Sequence, residues 1–554
     1  MNKPDKLHGQ CLALLEKYGK GQNKKNEGMN VTVKLEPLKL NAQAVRSASL
    51  VKKLGKGGAV VLGDPTGTGK TPVALVAASV LMSSASANSA INTVLIVAPN
   101  QSIAELWTER AEYLFGEEKV FPWSGESHQK LWVNGKCRVV VTTRNCLHKK
   151  GSDIQKPKCP NSVLIIVDEA HRGGIQDENN DAHQALKAIA AGAKLLLVTA
   201  TPFQIDVNAM TNMLGLASDQ NQDSLNCIKQ HGIAIKDLIS CCGIHHNEIV
   251  DTNWPAAVEL AVSKTIDLQA DAHKALSDFI LEGFDPKSYG IEEVQIKLLP
   301  NIELKSDSMD YDIARCLPEL SGRGGNRSMV QRELVSSSEA FLKSAPIINL
   351  PGHVEKLKKK LEEGEYLLNH PKITATCKWI KEKYLAGRHV LVFCVFIETQ
   401  NAIASALIQI PGLEVYVPKG SLNKDMVTRF RKKDSKNPLV IVVTDRFSES
   451  IDLDGGNPCI VHHDLPWNPA RMRQRHGRVV RISSNFKMPA KEDIYIPILN
   501  VEVDIRQFQT VMKRQEMGDH LLMGIDGREP TKSKDDPWAL PDAVLDRLKE
   551  GRVY

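Results

Sequence analysis

AVVLGDPTGTGKT, residues 59–71, decides the fold. The apolar run Ala59–Leu62 is short and reads as a buried strand. Glycines follow it, and the apolar stretch Pro72–Met82 then reads as a helix. A glycine-rich loop between a strand and a helix lets backbone amides, here those of Gly67 and Gly69, wrap round a phosphate. Gly67, Thr68, Gly69, Lys70 and Thr71 are the expected cradle, with Lys70 reaching the β- and γ-phosphates and the Thr71 hydroxyl on Mg²⁺. Asp64 stands where the strict pattern has its first glycine, so the expectation rests on the strand–loop–helix context.

Working outward, the runs Thr93–Ala98, Arg138–Val141, Val163–Val167 and Lys194–Val198 read as further buried strands, with helical stretches such as Asp181–Ala191 between them. Alternation of this kind implies a parallel sheet with crossover helices. Residues 206–365 lose the rhythm and read as mostly helical, broken by SGRGGNRS (321–328) and the charged run 353–365. It resumes at His389–Phe393, Leu413–Val417 and Leu439–Val443, giving a second sheet. The fold class is α/β, two parallel-sheet units with a mostly helical insertion between them.

Val163–Val167 runs into Asp168-Glu169-Ala170-His171. An acidic pair at the carboxyl end of a strand, downstream of a phosphate loop, suits a metal-and-water site. Asp168 would hold Mg²⁺ through its shell, and Glu169 would orient and deprotonate the attacking water. His171 either couples to the next motif or is a satisfied loop histidine.

Composition bounds the rest. Over 554 residues, 42% hydrophobic and 25% charged residues exclude a wholly disordered chain and a fibrous repeat. The net charge of +6 permits nucleic acid without arguing for it. Eleven cysteines with no CxxC pair point to a reducing compartment. The N-terminus MNKPDKLHGQ lacks the apolar core of a signal peptide, and no window is apolar enough for a membrane span. The expected location is the cytoplasm. Cys241-Cys242-Gly243-Ile244-His245-His246 resembles a metal knot only superficially, since adjacent ligands suit tetrahedral zinc poorly.

Several segments together resemble superfamily 2 helicases and translocases over most of 38–485. They are LIVAPNQSIAELW (95–107), Thr199-Ala200-Thr201-Pro202, VLVFCVF (390–396), TDRFSESIDL (444–453) and Gln474-Arg475-His476-Gly477-Arg478-Val479-Val480-Arg481. The resemblance implies two RecA-like lobes: a leader (1–33), lobe 1 (34–205), the insertion (206–365), lobe 2 (366–510) and a tail (511–554). It makes Arg478 and Arg481 the cations brought to the phosphoryl group at the transition state, with Gln474 at the same cleft. Gln43 falls where such enzymes place an adenine-reading glutamine. Thr142, Arg144, Thr444 and Arg446 become candidate strand contacts, beside Asp445; basic clusters at 352–360 and 429–436 either add non-specific affinity or are solvated helix faces. Trp107 either stacks on a base or packs in the core.

Within the superfamily, Asp64, TATPFQ (199–204), MVQRELVSSSEAFLKS (329–344) and above all HHDLPWNPARMRQRHGRVVRI (462–482) are most similar to bacterial Swi/Snf-type ATPases. Ser450, where a glycine is common, departs from the pattern without removing a catalytic group. The implied function is an ATP-dependent translocase on double-stranded DNA, with ATP and Mg²⁺ as cofactors. A strand-separating DNA or RNA helicase and a nucleotide-gated scaffold are the alternatives. No nuclease or methylase signature is visible, which leads to the expectation of a partner nuclease, methylase or other defence or repair protein.

Overall fold

The computed structural model describes residues 38, 41–56, 58–83, 91–123, 132, 138–148, 156–203, 206–216, 222–244, 254–281, 284, 286–289, 309–320, 325–345, 352–363, 370–418, 423–432, 438–445, 453, 455–456, 458–479, 493–522 and 540–550. The chain forms two compact units, Met1–Glu292 together with Arg514–Tyr554, and Glu293–Lys513. The 1–33 leader lies outside the described residues.

Unit 1 carries a six-stranded sheet in the order β1-β6-β5-β2-β4-β3. Its strands are β1 (Ala59–Leu62), β2 (Thr93–Ala98), β3 (Val120–Pro122), β4 (Val139–Thr143), β5 (Val163–Asp168) and β6 (Lys194–Val198). Every pairing is parallel. A parallel sheet is covered on both faces, so its strands are apolar at successive positions. Val60, Leu62, Val94, Ile96, Leu164 and Ile166 face one core, with helices α1 (Asn41–Lys56), α2 (Lys70–Ser83) and α3 (Gln101–Phe115). Val61, Leu95, Val97, Ile165, Val167 and Leu197 face the other. That second core is completed by α4 (Asp181–Ala190), α5 (Val207–Gly215), α6 (Gln222–Ile244) and α7 (Ala256–Phe279).

The chain leaving α7 covers the exposed edge of β1. Val61 forms a parallel bridge with Ile280, and Leu281 N donates to Val61 O at 2.9 Å. The carboxyl-terminal residues Met517, Leu521, Leu540, Val544 and Leu548 enter the second core, so residues beyond 513 are part of unit 1.

Unit 2 opens with α8 (Met309–Glu319), α9 (Gly325–Ser336), α10 (Ser338–Ser344), α11 (Gly352–Glu362) and α12 (Pro371–Leu385). The segment read as one helical insertion, 206–365, is therefore divided between the units: α5–α7 thicken unit 1, and α8–α11 belong to unit 2. A five-stranded parallel sheet follows, ordered β11-β10-β7-β9-β8. Its strands are β7 (Val390–Cys394), β8 (Val415–Tyr416), β9 (Val440–Thr444), β10 (Cys459–His462) and β11 (Ile494–Tyr495). Val390, Val392, Val440, Val442 and Val461 build one core with α12 and α13 (Ile397–Ile408). Helices α14 (Lys424–Phe430) and α15 (Pro469–His476) complete unit 2; α16 (Glu502–Leu521) runs across the boundary at residue 513, and α17 (Asp542–Glu550) belongs to unit 1. Cys241 and Cys242 lie within α6, and among the described residues no group of three or more His, Cys, Asp or Glu could hold a metal ion. No described helix is long and apolar enough to cross a membrane.

Candidate active site

Three motifs end three neighbouring strands. β6 lies between β1 and β5, pairing Val198 with Leu62 on one side and with Asp168 on the other. The glycine-rich loop after β1, Thr199–Thr201 after β6 and the acidic box after β5 therefore meet at the carboxyl edge of one sheet. Ligands bind at this edge in open α/β sheets.

In the loop, Gly67 and Gly69 take φ values of 86° and 82°. A Cβ on Gly69 would also displace the Gln43 amide, and the left-handed φ is what favours glycine there. Gln43 is buried in α1 and donates to Thr68 O at 2.8 Å, bracing the loop from outside. Lys70 begins α2 and donates to Pro65 O at 3.0 Å, as does the Thr68 hydroxyl at 2.8 Å. Thr66 Oγ1 is buried with no hydrogen-bond partner. A loop of left-handed glycines, a lysine, Thr71 at the helix start and one unsatisfied hydroxyl fit a nucleotide triphosphate with its metal.

Asp64, the departure from the strict pattern, has a structural use. Its carboxylate, 1% exposed, pairs with Arg46 of α1, which also donates to Leu281 O at 3.0 Å. The ion pair ties loop, α1 and the segment after α7 together. A buried carboxylate is tolerated here because it is paired and hydrogen-bonded.

The acidic box is held on every side. Asp168 Oδ2 accepts from the indole N–H of Trp107 at 2.8 Å, and Oδ1 accepts from Glu169 N at 2.9 Å. Burial and the adjacent Glu169 carboxylate raise the Asp168 carboxyl to about 6, against the pull of those two donors and Lys70. Glu169 has φ 47°, the left-handed region that a non-glycine residue enters at a cost of about 1 kcal/mol. Arg144 holds that conformation: its Nη2 donates to Asp168 O at 2.9 Å and to Glu169 O at 2.8 Å. Gly173 (φ 64°) makes room for it, since a Cβ there would lie 2.7 Å from Arg144 Cδ. Burial lowers the Arg144 guanidinium to about 10, which leaves it charged.

His171 couples to the segment after β6. Arg172 Nε can only donate, so His171 Nε2 accepts from it at 3.1 Å and the neutral ring carries its proton on Nδ1. That atom lies 2.7 Å from Thr199 Oγ1, 3.3 Å from Glu169 Oε2 and 3.4 Å from Thr201 Oγ1. Burial pushes the imidazole down to about 3, so it stays neutral.

Unit 2 places the arginine motif on and just after α15. Arg475 is fully buried: its Nε donates to Asp445 Oδ1 at 2.8 Å and its Nη1 to Asp464 O at 2.8 Å, with the guanidinium 5.1 Å from the Phe393 ring centroid. Asp464 Oδ2 in turn accepts from Val395 N at 2.9 Å. His462 and His476 approach through their Nε2 atoms at 2.7 Å, so one donates and the other accepts. Burial, mutual repulsion and Arg475 hold His462 well below the usual histidine range, and burial with Arg475 takes His476 to about 3. Gln474 and Arg478 are also buried, at 1% and 8% exposure. Arg446 and Arg481 lie outside the described residues.

The expected strand contacts need correction where side chains can be seen. Arg144 is 4% exposed and spends its guanidinium on the acidic box, so its charge is not offered to a phosphate. Thr142 and Thr444 are likewise buried, because each lies in a fully buried run of its strand. Asp445 is engaged by Arg475 and, at 3.3 Å, by Arg471. Trp107, 1% exposed, cannot stack on a base; it is buried against the acidic box, a role its sequence position did not reveal.

Residues 34–204 match the family model "Type III restriction enzyme, res subunit", and residues 371–483 match "Helicase conserved C-terminal domain". The two matches fall in different units, in the order the motifs require. The chain belongs to the superfamily 2 helicases. It is 22% identical over 481 residues to an uncharacterized ATP-dependent helicase, YqhH, of Bacillus subtilis (strain 168), covering 80% of this chain and 74% of that protein. It is 24% identical over 385 residues to nucleoside triphosphatase I of Heliothis armigera entomopoxvirus, covering 61% of this chain and 56% of that one. The helicase domain of Pyrococcus furiosus Hef aligns over 84% of this chain and 97% of its own, at 16% identity and a TM-score of 0.40. The first match spans β1–β6 and the second β7–β10, so each parallel sheet belongs to one matched helicase region. This helicase hydrolyses ATP and acts as an ATP-dependent motor on nucleic acid.

Proposed function

We propose that this helicase is a double-stranded DNA translocase of Swi/Snf type. The observation that carries the motor chemistry is the convergence of the phosphate loop, Thr199–Thr201 and the acidic box on adjacent strand ends. The duplex preference rests on the likeness of residues 462–482 to Swi/Snf-type ATPases. In this reading Gly67, Thr68, Gly69 and Lys70 hold the phosphates and Thr71 and Asp168 hold Mg²⁺, while Gln43, expected to read the adenine, instead braces the loop through Thr68 O. The metal, when bound, neutralises charge on the phosphoryl oxygens. Glu169 takes the proton of the attacking water, while Arg478 and Arg481 supply positive charge and the neutral amide of Gln474 offers hydrogen bonds. Partly exposed Glu169 with its strained backbone suits the base's role, since strain is retained where a side chain must be aimed.

The test is ATP hydrolysis by the purified protein with duplex DNA, single-stranded DNA or RNA, and Glu169→Gln as control. Stimulation greatest with duplex DNA, and no strand displacement, supports the translocase. Stimulation by single strands or RNA, with displacement, moves the reading to an unwinding helicase, the activity in the printed name of the Bacillus subtilis relative. Hydrolysis that appears only when a co-purifying nuclease or methylase is added supports a gated scaffold.

A further inference from the structure

We propose that Trp107 is a positioning residue for the metal-holding carboxylate of the acidic box. A buried indole N–H requires an acceptor, and a backbone carbonyl would satisfy it. Here the acceptor is the side chain of Asp168, 2.8 Å away, on the residue that ends β5. The placement follows from topology. Trp107 lies on α3, the helix that follows β2, and β2 is the immediate neighbour of β5. Asn100 caps α3 by accepting from Ile103 N at 3.0 Å, which fixes where the helix starts relative to the strand end.

The geometry constrains Asp168 from two independent directions. Trp107 takes one lone pair of Oδ2, and Glu169 N takes one of Oδ1. With both oxygens engaged, the carboxylate plane cannot rotate, and the remaining lone pairs keep a fixed direction. Such a partner orients a ligand without touching the ion, and losing it typically weakens metal binding by about 10- to 100-fold. Arg144 fixes the backbone of the same box through two carbonyls, so the indole is the donor that fixes the side chain from another element. Packing alone explains the burial of Trp107, but it does not explain why its N–H is aimed at this carboxylate.

The inference rests on the reading of Asp168 as a Mg²⁺ holder, and the experiment separates the two. Mn²⁺ binding to the full-length protein with a non-hydrolysable ATP analogue is measured by electron paramagnetic resonance. Four proteins are compared: wild type, Asp168→Ala, Trp107→Phe, and a protein with benzothienylalanine at position 107. Benzothienylalanine replaces the indole N–H by sulfur and keeps the ring shape. The expected result is Mn²⁺ affinity about 10-fold weaker for the benzothienylalanine protein, with analogue affinity in the absence of metal unchanged and an unaltered melting temperature. Trp107→Phe should weaken Mn²⁺ similarly while also losing packing. Wild-type Mn²⁺ affinity in the benzothienylalanine protein, with Asp168→Ala abolishing binding, overturns the role of Trp107 and leaves the metal reading intact. Unchanged binding in Asp168→Ala overturns both.

Discussion

At the carboxyl edge of the unit 1 sheet, Lys70, Thr71, Asp168 and Glu169 all remain partly exposed, whereas in unit 2 Arg475, His462 and His463 are fully buried. Both sheets are parallel and both carry their motif residues after strand ends, so topology does not explain the difference. The reason lies in what each set is braced by. In unit 1 the working side chains are steered by buried neighbours: Trp107 and Arg144 behind the acidic box, Gln43 behind the loop. In unit 2 a charged residue is itself the brace, with Arg475 joining Asp445 to the backbone of Asp464. A buried cation of that kind must be fully paired, since an unpaired one is expelled or neutralised. Mutations at the two edges should therefore fail differently, by lost chemistry in unit 1 and by lost folding in unit 2.

The largest effect expected is chemical. Glu169→Gln should cut nucleic-acid-stimulated ATP hydrolysis about 10²- to 10⁴-fold, the usual worth of a general base, with little change in melting temperature. A large stability loss in that variant would break the contrast between the edges. Next comes Arg475→Ala, which leaves the Asp445 carboxylate without its main partner; denaturant titration should show unit 2 destabilised by about 3–5 kcal/mol. Arg475→Lys keeps the charge but loses the forked contacts and should fall between. If Arg475→Ala instead folds normally and loses only activity, then the two edges work alike.

A graded effect is expected from pH. His462 and His476 are held neutral, with folded-state values below the unfolded value near 6.5. The unfolded chain therefore binds more protons as pH falls, so this pair's contribution is intact above about pH 6.5 and is lost progressively toward about pH 3, at up to about 1.4 kcal/mol per pH unit for each histidine. Unit 2 melting followed from pH 7 to pH 4 should fall accordingly, and His476→Gln should flatten the slope. The smallest effect is a cap: Asn100→Ala should cost unit 1 about 1 kcal/mol in chemical denaturation. Because the same helix aims Trp107, a fall in Mg²⁺ affinity with that variant would extend the bracing outward from Asp168.

The segments at the sheet edge were legible because they are carried by local pattern. Glycines between a strand and a helix announce a phosphate loop, and an acidic pair after an apolar strand announces the box. Strand boundaries came within two residues of those observed for β1, β2, β4, β5 and β6. The short strands β3, β10 and β11 were missed. The braces were missed for another reason. Nothing in the neighbours of Trp107 or Arg144 distinguishes a packing tryptophan or surface arginine from one that holds a carboxylate or two carbonyls.

Sequence by itself determined that two parallel-sheet units exist and which glycine loop and acidic pair end their strands, because residue type and spacing along one strand or loop settle those matters. Tertiary structure decided who holds them. Strand order brings β2 beside β5 and β6 between β1 and β5, so Trp107, Arg144 and His171 acquire partners far away in the chain. It also decided that residues beyond 513 complete the unit 1 core, since an apolar helix face finds its partner by surface match, which no local pattern encodes.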